Sequence, residues 1–261
     1  MAEFDSFQEY GEELERRIRL QSFPLAVKLL KRDIDIPLGA ERPLRDWGYH
    51  VPLCQGYAVS RKEGTTVAMC KEDMWCFEPV VGYGWVEPPR YFLEGHNRFP
   101  EDVKDLEAGR NYAMDFPRLE VGKYMGVVSA PLTRVNFKPD VIMLYCNSAQ
   151  LGLLLLGREY MDGHDLPCHL SSHAACVYSV APAITEDRCQ VALPCRGDRY
   201  YASAGDDEII FTIPIGKIED LFTGLRHVEK YNSRLPKSPR MVREPEREES
   251  YEKLSKMVGC A

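Results

Sequence analysis

The sequence lacks a hydrophobic run long enough to cross a bilayer. Its longest apolar stretch, LGLLLLG at 151–157, spans seven residues, whereas a transmembrane helix needs about 20. Residues 1–31 also lack the apolar core of a secretory signal peptide. An excess of basic residues is missing too, because 40 acidic and 33 basic residues give a formal net charge of -7, and a general nucleic-acid binder is usually basic. These absences predict a cytoplasmic protein with neither a membrane nor a nucleic acid as partner.

The short motifs of several protein classes are absent as well. The sequence contains no C-x2-C pair, no H-E-x-x-H, no Walker loop and no G-x-S-x-G elbow. The stretch VVGYGW at 80–85 has two glycines, but it lacks the third glycine and the strand–helix setting of a dinucleotide-binding fingerprint. No single short motif therefore identifies the chemistry.

Cysteine is the residue type that the sequence does contain in unusual number. A reducing compartment disfavours disulfides, so the nine cysteines are expected to be small buried hydrophobes or ligands of a metal or cluster. Cys70 and Cys76 share the spacing C-x5-C with Cys189 and Cys195. Six residues span about 20 Å in a strand and fall on different faces of a helix. We therefore expect at most one ligand from each pair unless the chain reverses at Pro194.

A second local pattern is HLSSHAAC at 169–176. If one helix covered it, His169, His173 and Cys176 would share a stripe at i, i+4 and i+7. Alternatively, Ser171 or Ser172 caps the helix, which leaves His169 outside and puts Cys176 in the first turns. The helix dipole favours a thiolate there, for ligation or for nucleophilic chemistry. Two polar histidines at a helix entrance are the third interpretation.

The overall pattern predicts an α+β (mixed α/β) fold, with a mixed sheet flanked by helices and a metal or cluster site between two halves. β-branched runs bounded by Pro and Gly place the sheet at 121–131, 140–146 and 190–213. No sequence repeat is evident. We expect one domain over residues 1–231. The charged, Pro-punctuated tail 232–261 is expected to be dispensable for the core fold.

Five spaced segments resemble the archaeal and bacterial family called domain of unknown function 169, or ArCR. They extend over about 23–225 and read PLAVKLL, CQGYAVSRKEG, KPDVIMLYCNSAQLGLLL, CVYSVAPAITEDRCQVALPCRGDR and DDEIIFTIP. The resemblance implies that four cysteines in both halves of the chain matter, namely Cys54, Cys76, Cys176 and Cys195. By comparison, the other five look peculiar to this sequence, namely Cys70, Cys146, Cys168, Cys189 and Cys260.

Four cysteines match the ligand count of a 4Fe–4S cluster or of a structural zinc site. With Cys195 as a ligand and Cys189 in the core, residues 196–199 would form a turn whose amides and guanidinium groups temper a negatively charged cluster. Zinc ranks below the cluster because structural zinc sites usually use cysteines two to four residues apart.

These observations predict an iron–sulfur (4Fe–4S) protein, either a cluster-dependent enzyme or a redox protein that acts on a small molecule. The candidates for acid–base chemistry are Tyr57, Arg61, Glu78, His169 and His173. The alternative is a structural-zinc or metal-free binding and assembly module. A transferase or hydrolase that uses Cys176 as nucleophile with His173 is a third hypothesis. The expected partners are a small-molecule substrate or a redox partner protein, with a homo-oligomer as a further option.

Overall fold

The computed structural model describes residues 4–230 and 249–259. Within these ranges the α-helices are α1 Asp5–Ile18, α2 Leu53–Glu63, α3 Phe77–Gly82, α4 Arg90–Leu93, α5 Leu106–Asp115, α6 Ser148–Glu159, α7 Ala175–Thr185, α8 Arg196–Ala202, α9 Ile218–Lys230 and α10 Glu249–Val258. The strands are β1 Leu25–Leu30, β2 Val67–Cys70, β3 Gly126–Pro131, β4 Val141–Cys146, β5 Gln190–Ala192 and β6 Ile209–Pro214. None of the helices in these ranges has the length and apolar sequence needed to cross a membrane.

The six strands form one sheet in the order β2-β3-β1-β4-β6-β5. The predicted α+β class is confirmed, but the expectation of a mixed sheet is wrong. All pairings between these strands are antiparallel. Parallel pairing is seen in the described residues only as isolated bridges, such as Glu41 with Val67. Parallel neighbours need a crossover that returns to the same end of the sheet, whereas here the helices between β2 and β3, and between β5 and β6, lead back along the neighbouring strand in the opposite direction.

The two halves of the sheet repeat one arrangement. β3 lies between β2 and β1, and β6 lies in the same way between β5 and β4. β1 and β4 meet at the centre through three residue pairs, centred on Ala26 and Ile142. Pro131 and Pro214 each end a strand and lead into a short 3-10 turn. The repeat is one of architecture, which explains why the sequence alone does not reveal it.

The sheet is the middle layer of three. Because successive strand residues face opposite sides, Leu25 and Val27 join the core shared with α2 and α7. Ala26 and Leu30 join the core shared with α1, α6 and α9. Pro52 and Gly64 mark the two ends of helix α2 in the sequence, and Gly64 has a φ of 81°, which favours glycine.

Two local expectations differ from the structure. The sequence pattern of residues 101–111 predicts a helix, but α5 begins only at Leu106 because the Asp105 side chain accepts a hydrogen bond from the Ala108 N–H, 2.8 Å away, and caps it. The turn expected at 196–199 is the first part of α8. In the charged tail, Glu249–Val258 is helical with no buried residue, and positions 231–248 and 260–261 lie outside the described residues.

Candidate functional site

Four cysteine side chains line one cavity of about 550 Å³ on the α2 and α7 side of the sheet. They are Cys54, Cys76, Cys176 and Cys195. The first two belong to one half of the repeated architecture and the last two to the other half. None of the other cysteines in the described residues lines this cavity. Cys146 and Cys189 belong to the core on the opposite face of the sheet, and Cys70 is buried at the end of β2.

Each of the four thiols stands at the beginning of a helix. Cys54 and Cys176 are the second residues of α2 and α7, whereas Cys76 and Cys195 immediately precede α3 and α8. The first N–H groups of a helix have no partner within the helix, so they are available to a negatively charged group nearby. The repeat places the same pair of positions, a second helical residue and a cap residue, in both halves.

The four thiols are neutral in the absence of a cation. Burial raises the pKa of all four, that of Cys195 to about 11. Neighbouring thiols add to the rise for Cys54, Cys76 and Cys176, because several thiolates in one cavity repel each other. Backbone N–H groups act in the opposite direction at Cys54, Cys76 and Cys195. A bound cation would offset the electrostatic cost of placing negative charge on these buried thiols.

Two carboxyl groups receive hydrogen bonds from the cap cysteines. The Cys195 thiol donates to Asp198 over 2.9 Å, and the Cys76 thiol donates to Glu78 over 3.2 Å. Asp198 is buried and also accepts a hydrogen bond from the Tyr145 hydroxyl, 2.9 Å away. Burial raises the pKa of Asp198, although these donors lower it.

The spacing of the sulfurs matters for the kind of group that they could hold. A Cβ placed on Gly197 would lie 3.5 Å from the Cys195 sulfur and 3.8 Å from the Cys54 sulfur, so the missing side chain leaves room beside both. No three of the four sulfurs lie within 4.8 Å of one another, because the one such group among the described residues is Cys70, Glu72 and Asp73. Zinc requires sulfurs about 2.3 Å from the ion. As they stand, the four sulfurs are therefore not gathered around one point as the ligands of a single zinc ion would be.

The two carboxylates in the group of Cys70, Glu72 and Asp73 share an ion pair with one arginine. The Arg42 guanidinium lies 2.6 Å from Asp73 and 2.7 Å from Glu72. The Asp73 carboxylate also accepts the Cys70 backbone N–H over 2.8 Å. These contacts make the group an ion-paired turn at the end of β2.

The five candidates for acid–base chemistry divide between two environments. Glu78 and His173 line the cavity, and the pKa of His173 is lowered, first by burial and then by the positive charge of Arg98. Tyr57 is fully buried and hydrogen-bonded to the Tyr83 hydroxyl at 3.0 Å. Arg61 is fully buried, pairs with Glu208 at 3.1 Å and stacks on the Tyr145 ring at 3.9 Å.

His169 also lies away from the cavity lining. Its Nε2 is 2.8 Å from Glu186, and the side chain is half exposed. The expected capping of the next helix by Ser171 or Ser172 is wrong, as is a single helix over HLSSHAAC. Ala174 precedes α7 with a φ of 47° and no side-chain cap, because the Ser171 hydroxyl instead accepts the His173 backbone N–H at 3.2 Å.

Several cavity residues were not identified from the sequence. They are Trp75, Arg98, Asp102, Tyr200 and Tyr201. Arg98 is almost fully buried and pairs with Asp102 at 3.1 Å and Glu78 at 3.4 Å. Its i,i+4 spacing to Asp102 is visible in the sequence, but the pairing with Glu78 arises only from the tertiary fold. Trp75 immediately precedes Cys76, and Tyr200 and Tyr201 follow shortly after Cys195. This closeness in sequence to two cysteines is a signal that could have identified the aromatic residues.

Comparison with known proteins places the chain in a family context. The family model described as uncharacterised ArCR, domain of unknown function 169, matches residues 13–224. A curated protein of Methanocaldococcus jannaschii, named only as uncharacterized, is 25% identical over 206 residues, which cover 78% of this chain and 86% of that protein. No solved structure matches significantly.

Proposed function

The chain belongs to the domain of unknown function 169 family, and from its own residues we propose that it is an iron–sulfur protein with a 4Fe–4S cluster held by Cys54, Cys76, Cys176 and Cys195. The observation that carries the proposal is the presence of these four thiols in one cavity, each at a helix beginning. Cysteine thiolates are the usual ligands of such clusters. The cysteines therefore supply the expected ligand number.

The ionisation behaviour of the four thiols supports the binding of a positively charged metal group. Four neutral, buried thiols can ionise together only if positive charge compensates them, and metal binding releases their protons. The backbone N–H groups that act on Cys54, Cys76 and Cys195 would then stabilise the thiolates. Hydrogen bonds to sulfur also tune the potential of a cluster.

The surroundings support an enzyme that acts on a small molecule, in preference to a purely structural site. A bound cluster would supply electron transfer or a Lewis-acid centre. Glu78 and His173 could exchange protons with a substrate in the same cavity, and Arg98 holds Glu78 in place. If the cluster transfers electrons, a redox partner protein could take the place of the small-molecule substrate. Tyr57 would instead support α7, because its partner Tyr83 donates a hydrogen bond to the Cys176 carbonyl. Arg61 would hold the end of α8 through the Ala202 carbonyl.

The structural-zinc or metal-free module stays as the alternative. Buried thiols with raised pKa are stable without a metal. Zinc would require the four sulfurs to move closer together, because no three of them lie within 4.8 Å of one another.

Anaerobic purification of the full chain tests the proposal. Iron, sulfide and zinc are measured per chain, together with the visible absorption spectrum and the electron paramagnetic resonance of the reduced protein. We expect brown protein with about four iron and four sulfide per chain. Single Cys→Ser changes at positions 54, 76, 176 and 195 should each lower iron content and colour, whereas Cys146→Ser and Cys260→Ser should not. Colourless protein with stoichiometric zinc would support the structural-zinc module. Protein that contains neither iron nor zinc would support the metal-free binding module.

A further inference from the structure

A group of exposed aromatic side chains stands at the mouth of the cysteine cavity. Trp75, Tyr200 and Tyr201 line the cavity and are 53%, 79% and 43% exposed. The Trp75 and Tyr201 rings meet edge to face with centroids 5.2 Å apart, and Tyr200 and Tyr201 do so at 4.8 Å. Large aromatic surface held in water at a concave site is typical of ligand binding. Because Trp75 precedes Cys76, the aromatic surface lies beside the thiols.

The charges of the cavity differ in whether they are already satisfied. Arg98 is engaged by Glu78, Asp102 and the Tyr112 hydroxyl, which lies 2.8 Å away. Asp198 accepts hydrogen bonds from Cys195 and Tyr145. The acids of the lining are therefore all occupied by the protein itself.

Arg196 is the exception. It is exposed, it lines the cavity, and within the described part of the chain its guanidinium has no ion pair or hydrogen bond. By contrast Arg199, one turn later on α8, donates to the Gly205 carbonyl at 2.9 Å and pairs with Asp206 at 3.0 Å. A free guanidinium matches carboxylate, sulfonate or phosphate groups.

From the free Arg196 and the aromatic mouth, we propose that this cavity binds a small planar aromatic molecule carrying an anionic group. The inference deepens the proposed function, on which it rests for the chemistry, by naming the class of substrate. Because the Trp75 and Tyr201 rings meet edge to face, one of them contacts the face of the ligand ring and the other contacts its edge. Arg196 pairs with the anion. Arg196 is the charged side chain of the lining that is left to pair with the ligand, and it selects an anionic group. The cavity volume of about 550 Å³, which the ligand would share with the cluster, is within the range of small-molecule sites.

Binding of 2-naphthalenesulfonate to the full-length, metal-loaded protein tests the inference. Isothermal titration calorimetry compares it with the neutral 2-naphthalenemethanol. We expect the sulfonate to bind at least about tenfold more tightly than the alcohol, because hydrogen bonds to a charged group are stronger than those to a neutral one. Arg196→Gln should remove that preference, and the matched variant Arg199→Gln should keep it. Trp75→Leu should weaken both probes about two- to tenfold.

Equal affinities for the two probes would overturn the inference, as would equal losses in Arg196→Gln and Arg199→Gln. The absence of binding at roughly 1 mM probe would also overturn it. Iron, sulfide and zinc are measured on each sample, so that failure of the proposed cluster is seen separately. Metal-free protein that binds the sulfonate through Arg196 would refute the cluster and support the binding site. Protein that contains the cluster but binds neither probe would support the cluster and refute the binding site.

Discussion

The substitution Gly197→Ala should change the stability of the metal-free protein and the retention of a bound metal in opposite directions. Gly197 is the second residue of α8 and lines the cavity. An added Cβ would lie 3.5 Å and 3.8 Å from the sulfurs of Cys195 and Cys54, which are ordinary contact distances. The metal-free protein should therefore gain up to about 1 kcal/mol of stability from the better helix propensity of alanine.

The same methyl group would occupy space that a group bound to both sulfurs needs. Crowding of a filled site costs about 1–3 kcal/mol, which corresponds to roughly 5- to 150-fold weaker retention of the metal. The assay is iron content and colour during titration with a chelator, paired with urea unfolding of the metal-free protein. Gly152→Ala is the matched control, since Gly152 is an exposed helical glycine with nothing within 4 Å of the added Cβ. If Gly197→Ala retained iron like the wild type, the room beside these sulfurs would have no role in binding.

Three further predictions concern the rest of the molecule. Gly224→Ala should lower the free energy of unfolding by about 1–3 kcal/mol, because its Cβ would meet the backbone of Gly157 where α9 crosses α6, and urea unfolding beside Gly152→Ala measures this. The pKa of Glu13 is lowered, since hydrogen bonds from two arginines outweigh the effect of burial. Its contribution to stability is thus present above the unfolded pKa and lost as the pH falls through the folded pKa. Unfolding free energies measured from about pH 6 to about pH 3 should fall less steeply for Glu13→Gln than for the wild type; an unchanged slope would contradict this. Removing residues 232–261 should leave a cooperative thermal transition, and insoluble protein would show that the tail is an integral part of the core.

The sequence predicted local structure better than it predicted the site. The β-branched runs around Val128 and Ile142 form strands because their alternating faces are both covered by helices. Glycine and proline marked both ends of α2. The start of α7 was wrong because Ser171 bonds to a neighbouring backbone group in a turn, which is a common competitor of helix capping.

The set of four cysteines followed from a family resemblance and not from spacing. Spacing alone could exclude one member of each C-x5-C pair, but it could not bring Cys54 near Cys195. That proximity depends on α2 packing against α8 across the two halves. The pairing of Arg98 with Glu78 and the free guanidinium of Arg196 likewise exist only in the folded chain.

The central seam between β1 and β4 has a consequence for the motions of the protein. Three residue pairs join these strands, against six in each of the pairings β1–β3 and β4–β6. Across the same seam, α2 packs on α8 and α3 packs on α7, and each of these four helices begins at one of the cysteines. Sub-global opening along the seam would leave the two half-sheets intact while it separates the thiols. A group bound by all four thiols would link the two halves and oppose this opening. Amide hydrogen exchange at β1 and β4 should then be slower with the group bound than without it.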